Sequence, residues 1–172
     1  MLKITLQIIW NNFEGEKMII KEVYNKQEKK DISTSILESL PNWFGIPEST
    51  REYIRESCKL PFFAAFDQSK PLGFIAIKEN NKYTAEIYVM GVLAKSHNQG
   101  IGSALVKRVL QWAKEKGYEF LQVKTLDESH PDVCYAKTRK FYESVGFKTL
   151  ECLPELWGRE NPCLIMIQYI NG

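Results

Sequence analysis

The residues with the clearest chemical meaning form a glycine-containing loop in the middle of the chain: His97-Asn98-Gln99-Gly100-Ile101-Gly102-Ser103. The residues before this loop favour a strand, whereas the apolar residues after it recur at helical spacing. The two glycines remove side chains where a helix exposes its first unpaired N–H groups, and the helix dipole adds positive potential there. Such a loop can bind a phosphate or pyrophosphate group.

Two other kinds of phosphate loop fit this sequence less well. A P-loop requires Gly-Lys-Ser/Thr after its spacer, but Gly100 is followed by Ile101. A dinucleotide-binding loop requires a third glycine, and Leu105 stands at that position. Asp127, after the next predicted strand, only weakly resembles the ribose-binding acid of that fold. A plain tight turn is the alternative that involves no ligand.

A second motif follows one helix and one strand later, where Phe141-Tyr142 precedes Gly146-Phe147. Gly146 is typical of a helix end, and Phe147 begins another predicted strand. The loop pattern Gln/Arg-x-x-Gly-x-Gly followed by the pattern Phe-Tyr-x-x-x-Gly-Phe resembles the bacterial members of the GNAT superfamily of N-acetyltransferases. The resemblance covers roughly residues 18–170 and is strongest over 84–147.

The fold class expected from this resemblance is α/β, with a mixed, partly splayed central sheet flanked by helices. The residue pattern itself predicts an antiparallel meander followed by a strand-helix-strand part. Pro47 is predicted to begin the second helix, with Ser49 able to cap it. Strands are predicted near 18–24, 61–66, 71–78, 83–92, 118–126, 147–153 and 163–170, and the other helices near 28–40, 102–116 and 135–145.

The resemblance implies two catalytic residues. Tyr142 matches the family tyrosine that acts as general acid near the CoA sulfur, and Glu86, six residues before Val92, matches the glutamate base on a strand. Strand alternation puts Glu86 and Val92 on one face. Gly91 within the same strand indicates a bulge or a close backbone approach. The alternatives without catalysis are an exposed acid at Glu86 and a core aromatic at Tyr142.

The cofactor implied by the resemblance is acetyl-CoA. Two positions depart from the family pattern, because a histidine replaces the first Gln/Arg of the loop motif and a tyrosine stands where many members carry asparagine. The residues predicted to bind acetyl-CoA are Val92, His97, Asn98, Gln99, Gly100, Ile101, Gly102, Ser103 and Tyr135. Histidine can still donate to phosphate, although its charge changes near neutral pH.

The acceptor is expected to be an amine-bearing small molecule or a peptide. The resemblance implies that it docks against a loop after the first helix and a late hairpin, where aromatic and acidic residues suit a cationic amine. The residues predicted to bind it are Trp43, Phe44, Glu155 and Trp157.

The leading hypothesis is an acetyl-CoA-dependent N-acetyltransferase that transfers an acetyl group directly to a primary amine in a ternary complex. No cysteine lies in either motif, which disfavours a covalent acyl-enzyme, although Cys134 beside the second motif keeps that route open. The first rival is a non-catalytic acyl-CoA-binding sensor module, and the second is a dinucleotide-binding domain.

Composition excludes several other classes of protein. A chain of 172 residues with 44% hydrophobic residues suits a globular domain with a sizeable core. Its net charge of +2 is spread along the chain, so no nucleic-acid partner is expected. Four scattered cysteines and two histidines suggest reduced thiols and no metal site. We expect a cytoplasmic protein with no membrane association, either a monomer or a homodimer.

The start of the chain has two interpretations. Met18 begins a strand-like segment, and the residues before it can be encoded by a purine-rich, ribosome-binding sequence, so 1–17 is predicted to be an N-terminal extension that is untranslated when synthesis begins at Met18. The N-acetyltransferase domain would then comprise 18–172. The alternative is an additional N-terminal strand, because apolar residues alternate with polar ones from Leu2 to Ile8.

Overall fold

The computed structural model describes residues 8–11 and 17–170. The predictions about 1–7 and 12–16 therefore lie outside the described residues. The chain divides into two compact units. The first contains the residues through Ile77 together with Val89–Gln111, and the second contains Lys78–Tyr88 together with the residues from Trp112 onward.

Eight strands and four α-helices occur within the described residues. The strands are β1 (Ile8–Asn11), β2 (Lys17–Glu22), β3 (Phe62–Asp67), β4 (Lys70–Glu79), β5 (Thr84–Val92), β6 (Phe120–Leu126), β7 (Lys148–Leu153) and β8 (Cys163–Tyr169). The helices are α1 (Lys26–Leu37), α2 (Pro47–Ser57), α3 (Ile101–Glu115) and α4 (Val133–Ser144). No helix among these residues is long and apolar enough to cross a membrane.

The sheet has the strand order β1-β2-β3-β4-β5-β6-β8-β7. The pairs β1–β2, β2–β3 and β3–β4 are antiparallel, as are β6–β8 and β7–β8, whereas β5–β6 is parallel. The paired residues of β5 and β6 end at Ile87↔Val123, although both strands continue beyond this point. The mixed, partly splayed sheet expected from the sequence is confirmed.

The first unit has a core built from aromatic and aliphatic strand residues. The rings of Phe62 and Phe74 stack with their centroids 4.9 Å apart, and both side chains are fully buried. Buried strands favour such β-branched and aromatic residues because these fit the pleated surface. Helix α1 contributes Ile32, Ile36 and Leu37 to the buried residues.

Gly91 allows α1 to approach β5 closely. A Cβ atom at Gly91 would lie 2.9 Å from Cγ2 of Ile36 and 3.3 Å from the side chains of Leu37 and Leu40. These distances are shorter than ordinary van der Waals contacts, so only glycine fits without displacement of the helix. The predicted close approach at Gly91 is thereby confirmed, and its cause is helix packing.

We expect Gly91→Ala to destabilise the protein. Adding a methyl group to a well-packed core costs about 1–3 kcal/mol of folding stability. The full cost applies here because the new Cβ would meet Cγ2 of Ile36, which is attached to Cβ next to the helix backbone and cannot move aside easily. Thermal unfolding should show a melting temperature lower by about 2–12 °C for a chain of this length. Ile36→Leu removes the γ2 methyl, so the double variant should lose less than the sum of the two single losses. Strict additivity would contradict this packing account.

The second unit contains β6, β8 and α4. Leu121 and Met166 are fully buried in these strands. Helix α4 begins at Val133, where the side chain of Asp132 accepts hydrogen bonds from the backbone N–H groups of Cys134 (2.7 Å) and Tyr135 (3.1 Å). The helix is followed by Gly146 at φ +101°, a conformation that favours glycine, as the sequence indicated.

The starts of α1 and α2 differ from the sequence-based predictions in position or in capping. Helix α1 starts at Lys26 instead of 28, because the Asn25 side chain accepts from the Glu28 N–H at 3.0 Å. Helix α2 starts at Pro47 as predicted, but the prediction that Ser49 caps it is wrong. Ile46 occupies the N-cap position without a side-chain hydrogen bond, because proline already lacks one of the N–H groups that a cap would satisfy.

Candidate functional site

The glycine loop of the first unit leads directly into α3. Asn98 and Gly100 have positive φ values of 60° and 78°, which turn the chain sharply before Ile101. The first helical hydrogen bond runs from the Ala104 N–H to the Gly100 carbonyl at 3.0 Å, so the N–H groups of 101–103 precede the helical ladder. A Cβ atom at Gly100 would meet no heavy atom within 4 Å. This open helix start is accessible to an anion such as pyrophosphate, and the binding of that group by residues 98–103 stays a prediction.

His97 contacts two other residues of the first unit. Its Nε2 lies 2.8 Å from the Val92 carbonyl oxygen, which requires the proton on that nitrogen. Its ring also meets the ring of Trp43 edge-on, with centroids 5.6 Å apart. The structure thus brings together two predicted cofactor residues, His97 and Val92, and one predicted acceptor residue, Trp43. Whether His97 donates to phosphate stays a prediction.

Glu86 lies in the second unit and is only 6% exposed. Three side chains donate to the same oxygen, Oε2: Asn80 Nδ2 at 2.8 Å, Gln122 Nε2 at 2.5 Å and Lys124 Nζ at 2.6 Å. Lys124 also forms an ion pair with this carboxylate. The alternative of an exposed acid at position 86 is wrong, because the carboxylate is buried and its Oε2 accepts three hydrogen bonds.

The charge on Glu86 is stabilised by these partners. Burial alone would raise its pKa, but the hydrogen bonds from Lys124, Asn80 and Gln122 and the charge of Lys124 outweigh burial. The net result is a pKa below the ordinary value for glutamate. Glu86 is therefore ionised at neutral pH, and it is a weaker base than an unperturbed carboxylate.

Tyr142 is 5% exposed and packs between aromatic neighbours of the second unit. Its ring centroid lies 5.3 Å from that of Phe141 and 5.5 Å from that of Phe147. Burial, reinforced by the nearby hydroxyl of Tyr135, raises the pKa of Tyr142 far above the ordinary value for tyrosine. The phenol therefore keeps its proton at every physiological pH. These contacts suit a core aromatic and a proton donor equally well.

The predicted acceptor residues lie on surface segments of both units. In the first unit, Phe44 is half-buried and meets the ring of Tyr53 edge-on at 5.9 Å. In the second unit, Glu155 pairs with Arg159 at 3.2 Å, and Trp157 is 41% exposed. An exposed tryptophan beside an acidic residue could contact a cationic ligand, but its role stays a prediction.

The three partners of Glu86 were not predicted from the sequence. Gln122 and Lys124 alternate along β6 and therefore share one face, which was visible in the sequence. The parallel pairing Glu86↔Gln122 brings this face to the carboxylate, and no sequence pattern fixed that register. Among the described residues, no group of three or more His, Cys, Asp or Glu side chains could hold a metal ion.

The sequence matches the model of the acetyltransferase (GNAT) family over residues 29–147. This match spans more than half of the chain and includes the glycine loop, Glu86 and Tyr142. The chain therefore belongs to the GNAT family. It is an acetyltransferase that uses acetyl-CoA as its cosubstrate. Membership of this family excludes the dinucleotide-binding alternative. Leu105, which stands where a dinucleotide-binding loop has its third glycine, is fully buried in α3.

Relatives and solved structures agree with this assignment. YsnE, an uncharacterized N-acetyltransferase of Bacillus subtilis (strain 168), is 28% identical over 108 residues, which are 61% of this chain and 69% of YsnE. An aminoglycoside 6'-acetyltransferase type Ii is 26% identical, with a TM-score of 0.69 over 89% of this chain and 97% of that one. An aminoglycoside 6'-N-acetyltransferase solved with coenzyme A has the same TM-score and coverage at 22% identity.

Proposed function

We propose that this protein transfers the acetyl group of acetyl-CoA to a primary amine of a small molecule or peptide, directly and in a ternary complex. The observation that carries the proposal is the buried, ionised carboxylate of Glu86, which suits an amine that arrives as a cation. The N-acetyltransferase name of YsnE and the aminoglycoside substrates in the names of two structural neighbours support a nitrogen acceptor.

The chemistry explains why a carboxylate is useful. An alkyl amine has a pKa of about 10.4 and is protonated at neutral pH, so it must lose a proton before it can attack a thioester. Deprotonation at pH 7 costs about 4.6 kcal/mol, from a difference of about 3.4 pKa units. Glu86 accepts this proton directly or through water in our proposal. Its low pKa makes it a weak base, so we expect its rate enhancement to lie at the lower end of the range for general base catalysis.

Tyr142 supplies the complementary proton. Acetyl-CoA provides a thioester, an activated acetyl group with a thiolate as leaving group. Because the pKa of Tyr142 is strongly raised, its hydroxyl remains a donor at all working pH values. In our proposal it donates a hydrogen bond, and then its proton, to the leaving sulfur. The tyrosinate regains a proton from water, and Glu86 releases the amine proton to water, before the next turnover. Residues 98–103 hold the pyrophosphate, while Trp43, Phe44, Glu155 and Trp157 bind the acceptor.

A ligand and turnover screen tests the proposal. Coenzyme A at 100 times its Kd should stabilise the protein by about 2.7 kcal/mol in thermal unfolding. A panel of polyamines, amino acids, aminoglycosides and peptides should then reveal an acceptor through coenzyme A release and an acetylated product in mass spectrometry. Tight binding of acetyl-CoA with no turnover of any amine in the panel would overturn the proposed class of acceptor.

Glu86→Gln should lower kcat/KM near neutral pH by about 10²-fold, since it removes the base but keeps the side-chain volume. Part of this loss should return as the pH approaches the amine pKa of about 10.4, where the acceptor deprotonates by itself. The measurement is kcat/KM across pH for both proteins. Glu151→Gln on the exposed strand β7 is the matched control and should resemble wild type. A Glu86→Gln profile parallel to wild type at every pH would remove Glu86 from the mechanism.

A further inference from the structure

The two oxygens of the Glu86 carboxylate have different surroundings. Oε2 accepts all three side-chain hydrogen bonds, from Asn80, Gln122 and Lys124, at 2.5–2.8 Å. No side chain or backbone group of the described residues donates to Oε1. A carboxylate held this way cannot rotate freely, since rotation would break three hydrogen bonds at once. Its second oxygen retains the capacity to accept a proton or a hydrogen bond.

We infer that Lys124 is a positioning residue, which fixes the Glu86 carboxylate through Oε2 so that Oε1 is the oxygen that accepts the amine proton. This inference rests on the proposed function of Glu86. Lys124 is the charged member of the three donors, and a charged donor gives roughly twice the strength of a neutral one. Asn80 and Gln122 orient the same oxygen without adding charge.

The sheet provides the rigidity that positioning requires. Glu86 pairs directly with Gln122 in the parallel β5–β6 ladder, and Lys124 lies two residues further along the same strand face. Strand β6 is fixed on its other side by continuous antiparallel pairing with β8, from Phe120↔Tyr169 to Leu126↔Cys163. The lysine projects from β6 one residue beyond the last β5–β6 pair, Ile87↔Val123, at a point where β8 still pairs with the strand through Lys124↔Ile165. This pairing with β8 fixes the backbone of Lys124, so its side chain can keep the carboxylate in one orientation.

Few other titratable groups act on Glu86. Lys124 faces it from β6, and Cys163 faces the pair from β8. Burial raises the pKa of the Cys163 thiol to about 11, so this group stays neutral under working conditions. Loss of the Lys124 charge would leave burial as the main influence on Glu86, and its carboxyl would then protonate at higher pH.

The test compares Lys124→Met with Lys124→Arg, which keeps the charge, and with Lys148→Met as a matched control on the exposed strand β7. The carboxyl carbon of Glu86 is titrated by NMR in 13C-glutamate-labelled protein, with Glu86→Gln used to assign the resonance. Then kcat and KM are measured across pH with the acceptor found in the screen. The NMR titration needs no turnover, so it reports on Lys124 even if the proposed acetyl transfer fails.

We expect Lys124→Met to raise the Glu86 titration midpoint and to move the acid limb of kcat/KM to higher pH. Its kcat should fall about tenfold, with the KM for acetyl-CoA unchanged, because a misplaced base slows proton transfer without affecting cofactor binding. Lys124→Arg should restore the wild-type Glu86 midpoint and most of the lost kcat. Lys148→Met should change neither the midpoint nor kcat. An unchanged Glu86 midpoint in Lys124→Met would overturn the inference. A raised midpoint with an unchanged pH profile would also overturn it, whereas an unimpaired Glu86→Gln enzyme would overturn the proposed role of Glu86 and this inference with it.

Discussion

Gly100→Asp should weaken the binding of coenzyme A by about 10³-fold while the protein remains folded. A carboxylate about 4 Å from a phosphate charge costs about 4 kcal/mol at an effective dielectric constant of 20, and each 1.4 kcal/mol is about tenfold in affinity. The protein itself has room for the new side chain, because a Cβ at Gly100 meets nothing within 4 Å. Aspartate also tolerates the positive φ of 78° better than most residues do. Isothermal titration calorimetry with coenzyme A measures the effect.

Two controls separate charge from backbone strain. Gly100→Asn has the same size and conformational preference without the charge, so it should retain much more affinity than Gly100→Asp. Gly158→Asp introduces the same residue at another open position with a similar φ of 86°, and it should leave coenzyme A binding unchanged. Undiminished affinity in a folded Gly100→Asp variant would show that the pyrophosphate binds elsewhere.

Tyr142→Phe should reduce kcat by about 10²–10⁴-fold, the range of general acid catalysis. The substitution keeps the ring and its contacts with Phe141 and Phe147, so stability and coenzyme A affinity should stay close to wild type. Because burial holds the pKa of Tyr142 far above its ordinary value, ionisation of this group should not appear in the wild-type pH profile below pH 10. The loss in Tyr142→Phe should therefore be similar across that range.

The measurement is kcat and kcat/KM with the acceptor identified in the screen, together with a single-turnover experiment to establish that chemistry limits the rate. Tyr169→Phe is the matched control, because this tyrosine is exposed on β8. If Tyr142→Phe turns over at the wild-type rate while the chemical step limits that rate, Tyr142 is a core residue without a catalytic role.

Much of the fold was determined by local sequence patterns. The glycine loop before an amphipathic helix predicted α3 within one residue at each end, because periodicity and turn chemistry are properties of neighbouring residues. The starts of α1 and α4 were misplaced by two residues each, although Asn25 and Asp132 are strong capping residues that the sequence displayed. Both helix starts are therefore encoded locally, by the capping residue that precedes each helix.

The environment of Glu86 was decided only by tertiary structure. Its partners Gln122 and Lys124 stand 36 and 38 residues away in sequence, and they reach it through the parallel register of β5 and β6. Strand alternation indicates which residues share a face, but the register between strands depends on how helices and strands pack across the whole sheet. The same reason explains why sequence patterns did not show that the Glu86 carboxylate is buried and paired with Lys124, in contrast to the exposed acid that was the alternative.

Arg108 is a second feature that tertiary packing alone produced. In sequence it belongs to a helix face, yet its guanidinium lies buried 4.8 Å from the centroid of the Phe63 ring, and its Nε and Nη1 have no hydrogen-bond partner within the described residues. The sequence determined the loop, the helix and the strands that carry the chemistry. Tertiary structure determined which charges are buried and what they meet, because burial and non-local contacts are properties of the packed chain rather than of any segment.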